Sequence, residues 1–556
     1  MEKYEELANL MFPNVIETVE DLENRYPKRK TEGEVTRYAP SPTGFLHTGS
    51  LFTTLLDKKI AQQTGGVFYL RVEDTDKKRE VEGSIKDQLN SLKEFGIVPD
   101  EGVVEAGKEV GKYGPYTQSK RGDIYLVCAK ELVRKGLAYP CFCTPEMLDT
   151  TRKMQEANKQ LPGYYGIYAR CRNISVDEAI ERVKAGEDFI VRFRSSGSHL
   201  KKISYIDKIK GKIDIAENDQ DIVIVKSDGL PTYHFAHAVD DHFMRTTTVI
   251  RGEEWLPSVP IHLQLFDALG FERVNYAHIP TIMIKDGESK RKLSKRKDKE
   301  AAVSYFLKAG YMPEAIIEYL YTIINSDFEP WRKNNKDKSL DEFKIRLEKM
   351  NSAGALFDIM KINDIAKECI AKLNSKELFD RVNSWSKEYN EEIYNLINRD
   401  MLYTLKIFAI ERDNATKIRK DLAKFEDVLY TFSYFFGDLY QKDIKENGYI
   451  FEPNDKITKE KIVEILSNYK DIYSLDDDKD MWFSKIKIMA GNLGFCTDIK
   501  EYKNNPDRYI GSVADVSTII RIALTNRKNT PDMYYIMKSI GKDEIDSRIN
   551  NALARL

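Results

Sequence analysis

The sequence predicts a doubly wound α/β fold in its first 310 residues and an all-helical architecture beyond, on three observations. All seven histidines and most glycines lie before residue 310, whereas Lys, Glu, Ile, Leu and Tyr dominate afterwards with few helix breakers. Segments 34–39 and 67–73 read as strands joined by a helix beginning near Leu51, and a helical crossover of that kind is what parallel strands require. Downstream, Leu422, Phe425, Leu429, Phe432, Phe436 and Leu439 recur at steps of three and four, the spacing of one helix that buries an apolar stripe in a bundle.

The chain has 556 residues, more than one hydrophobic core usually supports, so two to five domains are expected. Its formal net charge of -2 does not advertise a polyanionic partner, and any nucleic-acid surface must be a local patch. No apolar run is long enough to span a bilayer, so no membrane association is expected. Residues 1–30 are acidic and amphipathic without the apolar centre of a signal peptide, and a cytosolic location follows. Six cysteines in a chain of this length do not make a disulfide framework, but the pair Cys141 and Cys143 is close enough to suggest a metal site.

The first strand runs into Arg37-Tyr38-Ala39-Pro40-Ser41-Pro42-Thr43-Gly44-Phe45-Leu46-His47-Thr48-Gly49-Ser50, a Pro/Gly-punctuated turn that feeds a helix. Such a turn points unsatisfied backbone N–H groups at one spot and favours bound phosphate. His47 supplies an imidazole donor there, and Gly49 lets a nucleotide approach the backbone. About 245 residues later, Lys292-Leu293-Ser294-Lys295-Arg296 offers cations suited to a pyrophosphate whose charge grows during nucleotidyl transfer. The second strand ends in Arg71-Val72-Glu73-Asp74-Thr75-Asp76. Ligands of doubly wound sheets sit at these carboxyl ends.

In this order and at this separation the two segments resemble the HIGH and KMSKS signatures of class I aminoacyl-tRNA synthetases. The wording around the first resembles the glutamyl-tRNA synthetase branch of the bacterial type, with Ser50 in place of the final His. The resemblance covers nearly everything after residue 34, strongly to about 310 and more loosely beyond. It implies an N-terminal extension at 1–33, followed by the first half of a Rossmann-like catalytic domain at 34–140. An inserted acceptor-end-binding module would occupy 141–212, with the second catalytic half and its KMSKS-like loop at 213–310. A stem-contact helical domain at 311–375 and an α-helical anticodon-binding region at 376–556 would complete the chain.

The resemblance also implies chemistry: ATP with Mg²⁺ and glutamate give glutamyl-adenylate, and the acyl group passes to the 3'-terminal adenosine of tRNA(Glu); whether tRNA(Gln) is charged as well rests on a few anticodon contacts and stays open. His47, Gly49, Ser50, Lys292 and Lys295 would serve ATP, with Ser294 between the lysines. Arg37, Ala39, Ser41, Glu73, Tyr233, His237 and Arg251 would hold glutamate, Glu73 receiving its amino group. Adenylate formation would wait for tRNA, and a monomer is expected.

Two positions pull apart. His237 stands where glutaminyl members carry His and bacterial glutamyl members usually carry Asn. Arg251 matches the glutamyl arginine that pairs with the substrate carboxylate, and a guanidinium–carboxylate pair outweighs an imidazole–amide contact. Glutamate is therefore the expected substrate. The alternatives are a glutaminyl enzyme, a short paralogue that modifies a tRNA base, and a non-catalytic RNA-binding descendant. The first is opposed by Arg251, the second by the helical half and second signature, and the third by intact His47, Gly49, Lys292 and Lys295. In the inserted module some relatives bind Zn²⁺ through a Cys-x-Cys pair and a later Cys near a Tyr or His, which here offers Cys141, Cys143, Cys171 and Tyr168. His234, His237 and His242 share helical spacing, and core or capping roles are expected for them rather than metal.

Overall fold

The computed structural model of the protein describes every residue except Met1, Lys295, Ala353, Asn414 and Pro453. Lys295, one of the expected phosphate-binding cations, therefore lies outside the described residues. Two short helices, α1 (Glu2–Met11) and α2 (Val19–Arg25), precede the first strand. Helix α2 starts at Thr18, whose hydroxyl accepts from Asp21 N while Asp21 reaches back to the Thr18 backbone, a capping box that satisfies two orphan donors.

Strand β1 (Val35–Tyr38) is buried along its whole length because it has neighbours on both sides. The helix α3 (Thr48–Thr64) carries the chain over to β2 (Val67–Leu70), which pairs in parallel from Val35↔Val67 to Tyr38↔Leu70. Leu51, Leu55, Leu56 and Ile60 of α3 are buried, each such side chain contributing about 1.5–3 kcal/mol of transfer free energy. Gly65 ends α3 in the left-handed region (φ 71°). A Cβ on Gly66 would lie 1.9 Å from the Glu34 carbonyl oxygen, so only glycine lets the chain turn this closely back beside β1. Helix α4 (Ser84–Glu94), strand β3 (Glu101–Glu105), the antiparallel edge strand β4 (Lys108–Val110) and helix α5 (Gly122–Arg134) complete this half.

The next stretch holds β5 (Ala138–Cys141), α6 (Pro145–Ala157), α7 (Val176–Lys184), β6 (Ile190–Phe193), β7 (Lys202–Asp207), β8 (Gly211–Ala216) and β9 (Val223–Val225). Strands β5, β6 and β9 form a small antiparallel sheet. The hairpin β7–β8 belongs elsewhere, so the module boundary expected at 212 falls within β8. Helix α8 (Tyr233–Phe243), strand β10 (Thr248–Gly252), helix α9 (Val259–Leu269) and strand β11 (Asn275–Ile279) follow, and β7 joins the parallel pair β10–β11 at Tyr276↔Asp207. A last hairpin, β12 (Met283–Asp286) and β13 (Ser289–Lys292), delivers the second signature.

Strand β10 lies beside β1, with Thr247 N donating to Val35 O at 3.0 Å. From β1 the chain proceeds to β2 on one side, and only later returns through β10 on the other. The gap between the carboxyl ends of β1 and β10 is thus the switch point where doubly wound sheets bind ligands.

The N-terminal residues are tied down. Leu7, Ala8 and Met11 of α1 are buried, and α1 packs on both α5 and α7, with Lys3 Nζ 2.7 Å from Asp177 and Lys184 Nζ 2.6 Å from Glu6. Glu23 of α2 accepts from His242 and Arg245 at the end of α8, each at 2.5 Å, and Arg29 bonds Glu101 through two 2.9 Å contacts.

By internal contacts the chain forms two units, Met1–Tyr305 with Ile317–Asp358, and Phe306–Ile316 with Ile359–Leu556. The composition shift near 310 falls within the exchanged segment. The second unit is helical from Ile359–Ala371 to Lys542–Arg555. Its aromatic stripe differs from the single helix expected over 422–439. Helix Asp427–Phe432 gives way to a tight turn at Ser433–Phe435, Phe436 is extended (φ -100°, ψ 116°), and a new helix runs Gly437–Asn447. Leu422, Phe425, Phe432 and Phe436 are buried and Leu429 and Leu439 half-buried, so the apolar spacing marked core at four of six positions, while serine and glycine, weak helix formers, interrupt the helix.

Candidate active site

A cleft of about 490 Å³ opens at the switch point, lined by residues from β1, the turn after it, α3, β10 and β13. Arg37, Ala39, Ser41, His47, Gly49, Ser50, Glu73, Tyr233, Arg251 and Lys292 all line it. His47 is the N-cap of α3, its Nδ1 accepting from Gly49 N at 2.9 Å, which leaves the proton of the neutral ring on Nε2. Lys292, at the end of β13, is mostly exposed, with Nζ 3.8 Å from Glu254. Ser294 sits in the following loop, its N–H donating to Asp298 at 2.9 Å, and does not line the cleft. Arg291 bonds the same Asp298 through two contacts. The chain then returns to the first signature, where Thr48 Oγ1 donates to Glu300 O at 2.8 Å and Val303 N to Leu46 O at 3.2 Å. The segment that follows the second signature is therefore fastened to the first by one main-chain and one side-chain hydrogen bond.

Two buried arginines, at the ends of the strands on either side of β1, have opposite surroundings. Arg71 lies just beyond β2, with Nη1 2.7 Å from Asp241, Nε 3.6 Å from Asp240 and Nη2 3.1 Å from Glu73. Burial opposes ionisation of Asp241, but Arg71 and Arg37 outweigh it and hold its carboxyl well below the usual range. At Glu73 burial outweighs the attraction of Arg71 and Arg37, and its carboxyl is pushed up. Arg251, on β10, is 5% exposed, and its partners are neutral. Its Nε donates to His278 Nε2 at 3.0 Å, Nη1 to the Tyr233 hydroxyl at 3.3 Å and Nη2 to Trp255 O at 3.4 Å, with His262 Nδ1 3.4 Å from both terminal nitrogens. The guanidinium also stands 4.7 Å from the Tyr276 ring centre.

The imidazoles around Arg251 stay unprotonated. Burial pushes His234 down to about 4 and His237 to about 3, and lowers His262 and His278 as well. His237, expected to touch glutamate, is a correction: it is 1% exposed, does not line the cleft, and spends Nε2 on Tyr276 Oη at 2.9 Å, with Nδ1 2.9 Å from Asp241. His234 Nδ1 lies 3.0 Å from His262 Nε2, a core contact of the kind expected for these histidines.

Sequence reasoning missed His262, His278 and Asp57. The first two are isolated polar residues in apolar elements and resemble ordinary core histidines. Asp57 lines the cleft from two turns into α3 and is fully buried, with burial pushing its carboxyl up. A polar residue in the middle of an amphipathic helix gives no signal of facing inward.

In the inserted module the sulfurs of Cys141, Cys143 and Cys171 lie within 4.8 Å of one another, the Cys143–Cys171 separation being 3.6 Å. Tetrahedral Zn²⁺ with Zn–S bonds of about 2.3 Å needs sulfurs about 3.8 Å apart, so the spacing fits. The tyrosine beside them is Tyr164, which corrects the expected Tyr168. Its hydroxyl is 3.4 Å from Cys141 Sγ and 3.3 Å from Cys143 Sγ, and accepts from Cys171 N at 2.9 Å. Tyr168 instead packs edge-on against Tyr165. Hydrogen bonds among the sulfurs pull the Cys141 thiol down and push that of Cys143 up, so without a cation the cluster favours a single thiolate, on Cys141.

A parallel pair of strands whose switch point holds a capped helix N-terminus, a cationic hairpin, the carboxyl of Glu73 and the guanidinium of Arg251 is the arrangement of a class I aminoacyl-tRNA synthetase. The family model described as tRNA synthetases class I (E and Q), catalytic domain, matches residues 34–356, and that of an anticodon binding domain matches 512–553. The chain is 49% identical to the glutamate–tRNA ligase of Clostridium perfringens (strain SM101), over 99% of this chain and 100% of that one. It is 48% identical to that of Clostridium beijerinckii, over 99% of each. A crystal structure of a glutamate tRNA ligase from Elizabethkingia meningosepticum, in complex with its amino acid, superposes with TM-score 0.74 at 29% identity, covering 94% of this chain and 100% of that one. The chain belongs to the glutamate–tRNA ligase family.

Proposed function

We infer that this cleft joins glutamate to ATP, giving glutamyl-adenylate and pyrophosphate, and then passes the glutamyl group to the 3'-terminal adenosine of tRNA(Glu). The observation that carries the reading is Arg251, a buried guanidinium in a cleft wall with no carboxylate among its described partners. A cation left without an anion in a half-dry site favours a substrate that brings one. Glu73 takes the substrate ammonium, and Arg37 and Ser41 border the same space. The second carboxylate then faces the phosphates, its oxygen attacks the α-phosphorus, and pyrophosphate leaves. His47 Nε2, Lys292 and Lys295 meet the charge that grows on the phosphates, so positioning and electrostatics supply the acceleration without a protein nucleophile.

Mg²⁺ enters with ATP as its counter-ion. Cys141, Cys143, Cys171 and Tyr164 would hold Zn²⁺, which would brace the module and supply no chemistry in the cleft. The glutaminyl reading rested on His237, and burial of that ring beneath the cleft removes its support. In the helical unit a second cleft of about 380 Å³, lined by Trp482, Phe483, Arg521 and Pro531 among others, has the size and aromatic–cationic walls for an unstacked anticodon base.

Activation waits for tRNA in this reading. The hairpin carrying Lys292 is extended by the segment after residue 354: Met283 N donates to Ala355 O at 2.9 Å, Phe357 N to Met283 O at 2.7 Å, and Asp358 N to Tyr319 Oη at 2.7 Å. A misplacement of about 1 Å in such a loop costs on the order of 10²-fold in rate. ATP–pyrophosphate exchange tests this. Negligible exchange is expected with glutamate alone and robust exchange after addition of tRNA(Glu). Vigorous tRNA-free exchange would overturn the gating. Parallel charging of tRNA(Glu) and tRNA(Gln) reports whether the second RNA is also a substrate.

A further inference from the structure

We propose that His278, held by Asp207, is a specificity-determining positioning residue that aims Arg251 at the substrate carboxylate. The inference rests on the reading of Arg251 as the glutamate-binding cation.

The geometry is a relay of three buried groups. Asp207, at the end of β7, accepts Ile209 N and Lys210 N at 2.9 Å each, and its Oδ2 is 2.6 Å from His278 Nδ1. The register of β7 beside β11 brings the two side chains together, and both are fully buried. A carboxylate at Nδ1 fixes the ring proton there and leaves the lone pair on Nε2, where Arg251 Nε donates at 3.0 Å. Carboxylate–imidazole pairs orient metal ligands in the same manner, and here the imidazole orients a guanidinium.

A neutral acceptor does what an acid at this position could not. A carboxylate against Nε would neutralise Arg251 and compete with the substrate. The imidazole anchors one edge of the guanidinium while its charge stays uncompensated. The remaining contacts, to Tyr233, Trp255 and His262, are long at 3.3–3.4 Å, so an arriving carboxylate with bonds of about 2.7–2.9 Å can displace them. Fixing the guanidinium also separates glutamate from glutamine. A carboxylate accepts on both oxygens, whereas a carboxamide presents one acceptor and one N–H₂ that collides with a guanidinium N–H. A guanidinium free to swing away would be spared that clash.

Steady-state kinetics with saturating tRNA test this. His278→Leu should raise the glutamate KM about 10- to 100-fold, the worth of a hydrogen bond to a charged group, with ATP KM unchanged and kcat within about threefold. Discrimination against glutamine should fall in parallel. His278→Gln keeps a neutral acceptor near Arg251 and should recover most of the loss. Asp207→Asn no longer demands a proton on Nδ1 and should resemble His278→Leu, which keeps the test decisive if that variant folds poorly. Because His278 acts through Arg251, the double variant Arg251→Gln/His278→Leu should be no worse than Arg251→Gln alone. An unchanged glutamate KM in His278→Leu and Asp207→Asn, or multiplicative losses in the double variant, would overturn the inference while Arg251→Gln remains impaired. An unimpaired Arg251→Gln would instead overturn the assignment of Arg251 itself.

Discussion

Arg71 and Arg251 stand at the ends of β2 and β10, the strands on either side of β1, both buried, yet Arg71 is surrounded by Asp240, Asp241 and Glu73, and Arg251 by imidazoles, a phenol and a carbonyl. Only Arg251 lines the cleft. The difference teaches how to tell a structural cation from a substrate-binding one. At Arg71 the protein supplies the counter-charge and the arginine belongs to the fold; at Arg251 it withholds it and the arginine waits for a ligand; Arg37, which lines the cleft and also pairs with Asp241 at 3.3 Å, stands between the two.

The largest expected effect tests the first half of that rule. Arg71→Met would strand buried carboxylates without a cation and should destabilise the fold by about 3–5 kcal/mol, read from denaturant unfolding followed by aromatic fluorescence. Arg251→Gln removes a cation with no anion to strand, so its stability should stay within about 1 kcal/mol of the parent although glutamate kcat/KM falls about 10²- to 10³-fold. Equal destabilisation of the two variants would erase the distinction.

Acid titration separates the same two surroundings. Free histidine titrates near pH 6.5. His234 and His237 are held near 4 and 3 by burial, so between those values the unfolded chain binds more protons. Stability is fully present above about pH 6.5 and is lost as pH falls, at up to about 1.4 kcal/mol per pH unit for each ring. Asp241 is held below its usual range and stays ionised across that window. Melting temperatures should therefore decline from pH 7 to pH 5 even though the Arg71 network is intact. A flat profile would mean the rings near Arg251 are not kept neutral by the fold.

The smallest effect on the cleft is expected from the cysteine cluster, a third buried polar group whose compensation would come from an added cation. Metal analysis of untagged protein should find about one zinc per chain, absent from the Cys141→Ser/Cys143→Ser variant, with the glutamate KM unchanged within about twofold. Protein without metal would reduce these cysteines to packing.

Much of this site was legible because strand–turn–helix chemistry is local. The Pro/Gly turn, His47 as N-cap and the parallel return at Val67 are all set by neighbours in sequence. Arg251 could be picked out because a cation at a strand end matches a family pattern. His278 and Asp207 could not, since 71 positions separate them and only the β7–β11 pairing brings them together. Tyr164 and Tyr168 sit in an irregular stretch with no period to say which ring turns inward. His237 shows the converse error, in which a motif position beside the pocket was read as part of its wall.

One consequence concerns the order in which the molecule is made. The first thirty residues emerge from the ribosome before any surface they rest on. Helix α1 needs α5 and α7, starting at Gly122 and Val176, and Glu23 needs His242 and Arg245. At about 5–20 residues per second, the end of α8 follows α2 by roughly ten to forty seconds. Until then the segment holds only part of its contacts, those to Glu101 and α5. Its last ion pairs, from Lys3 and Glu6 to α7 and from Glu23 to His242 and Arg245, form only after the inserted module and α8 exist, so these two helices are a latch that closes on the finished catalytic unit.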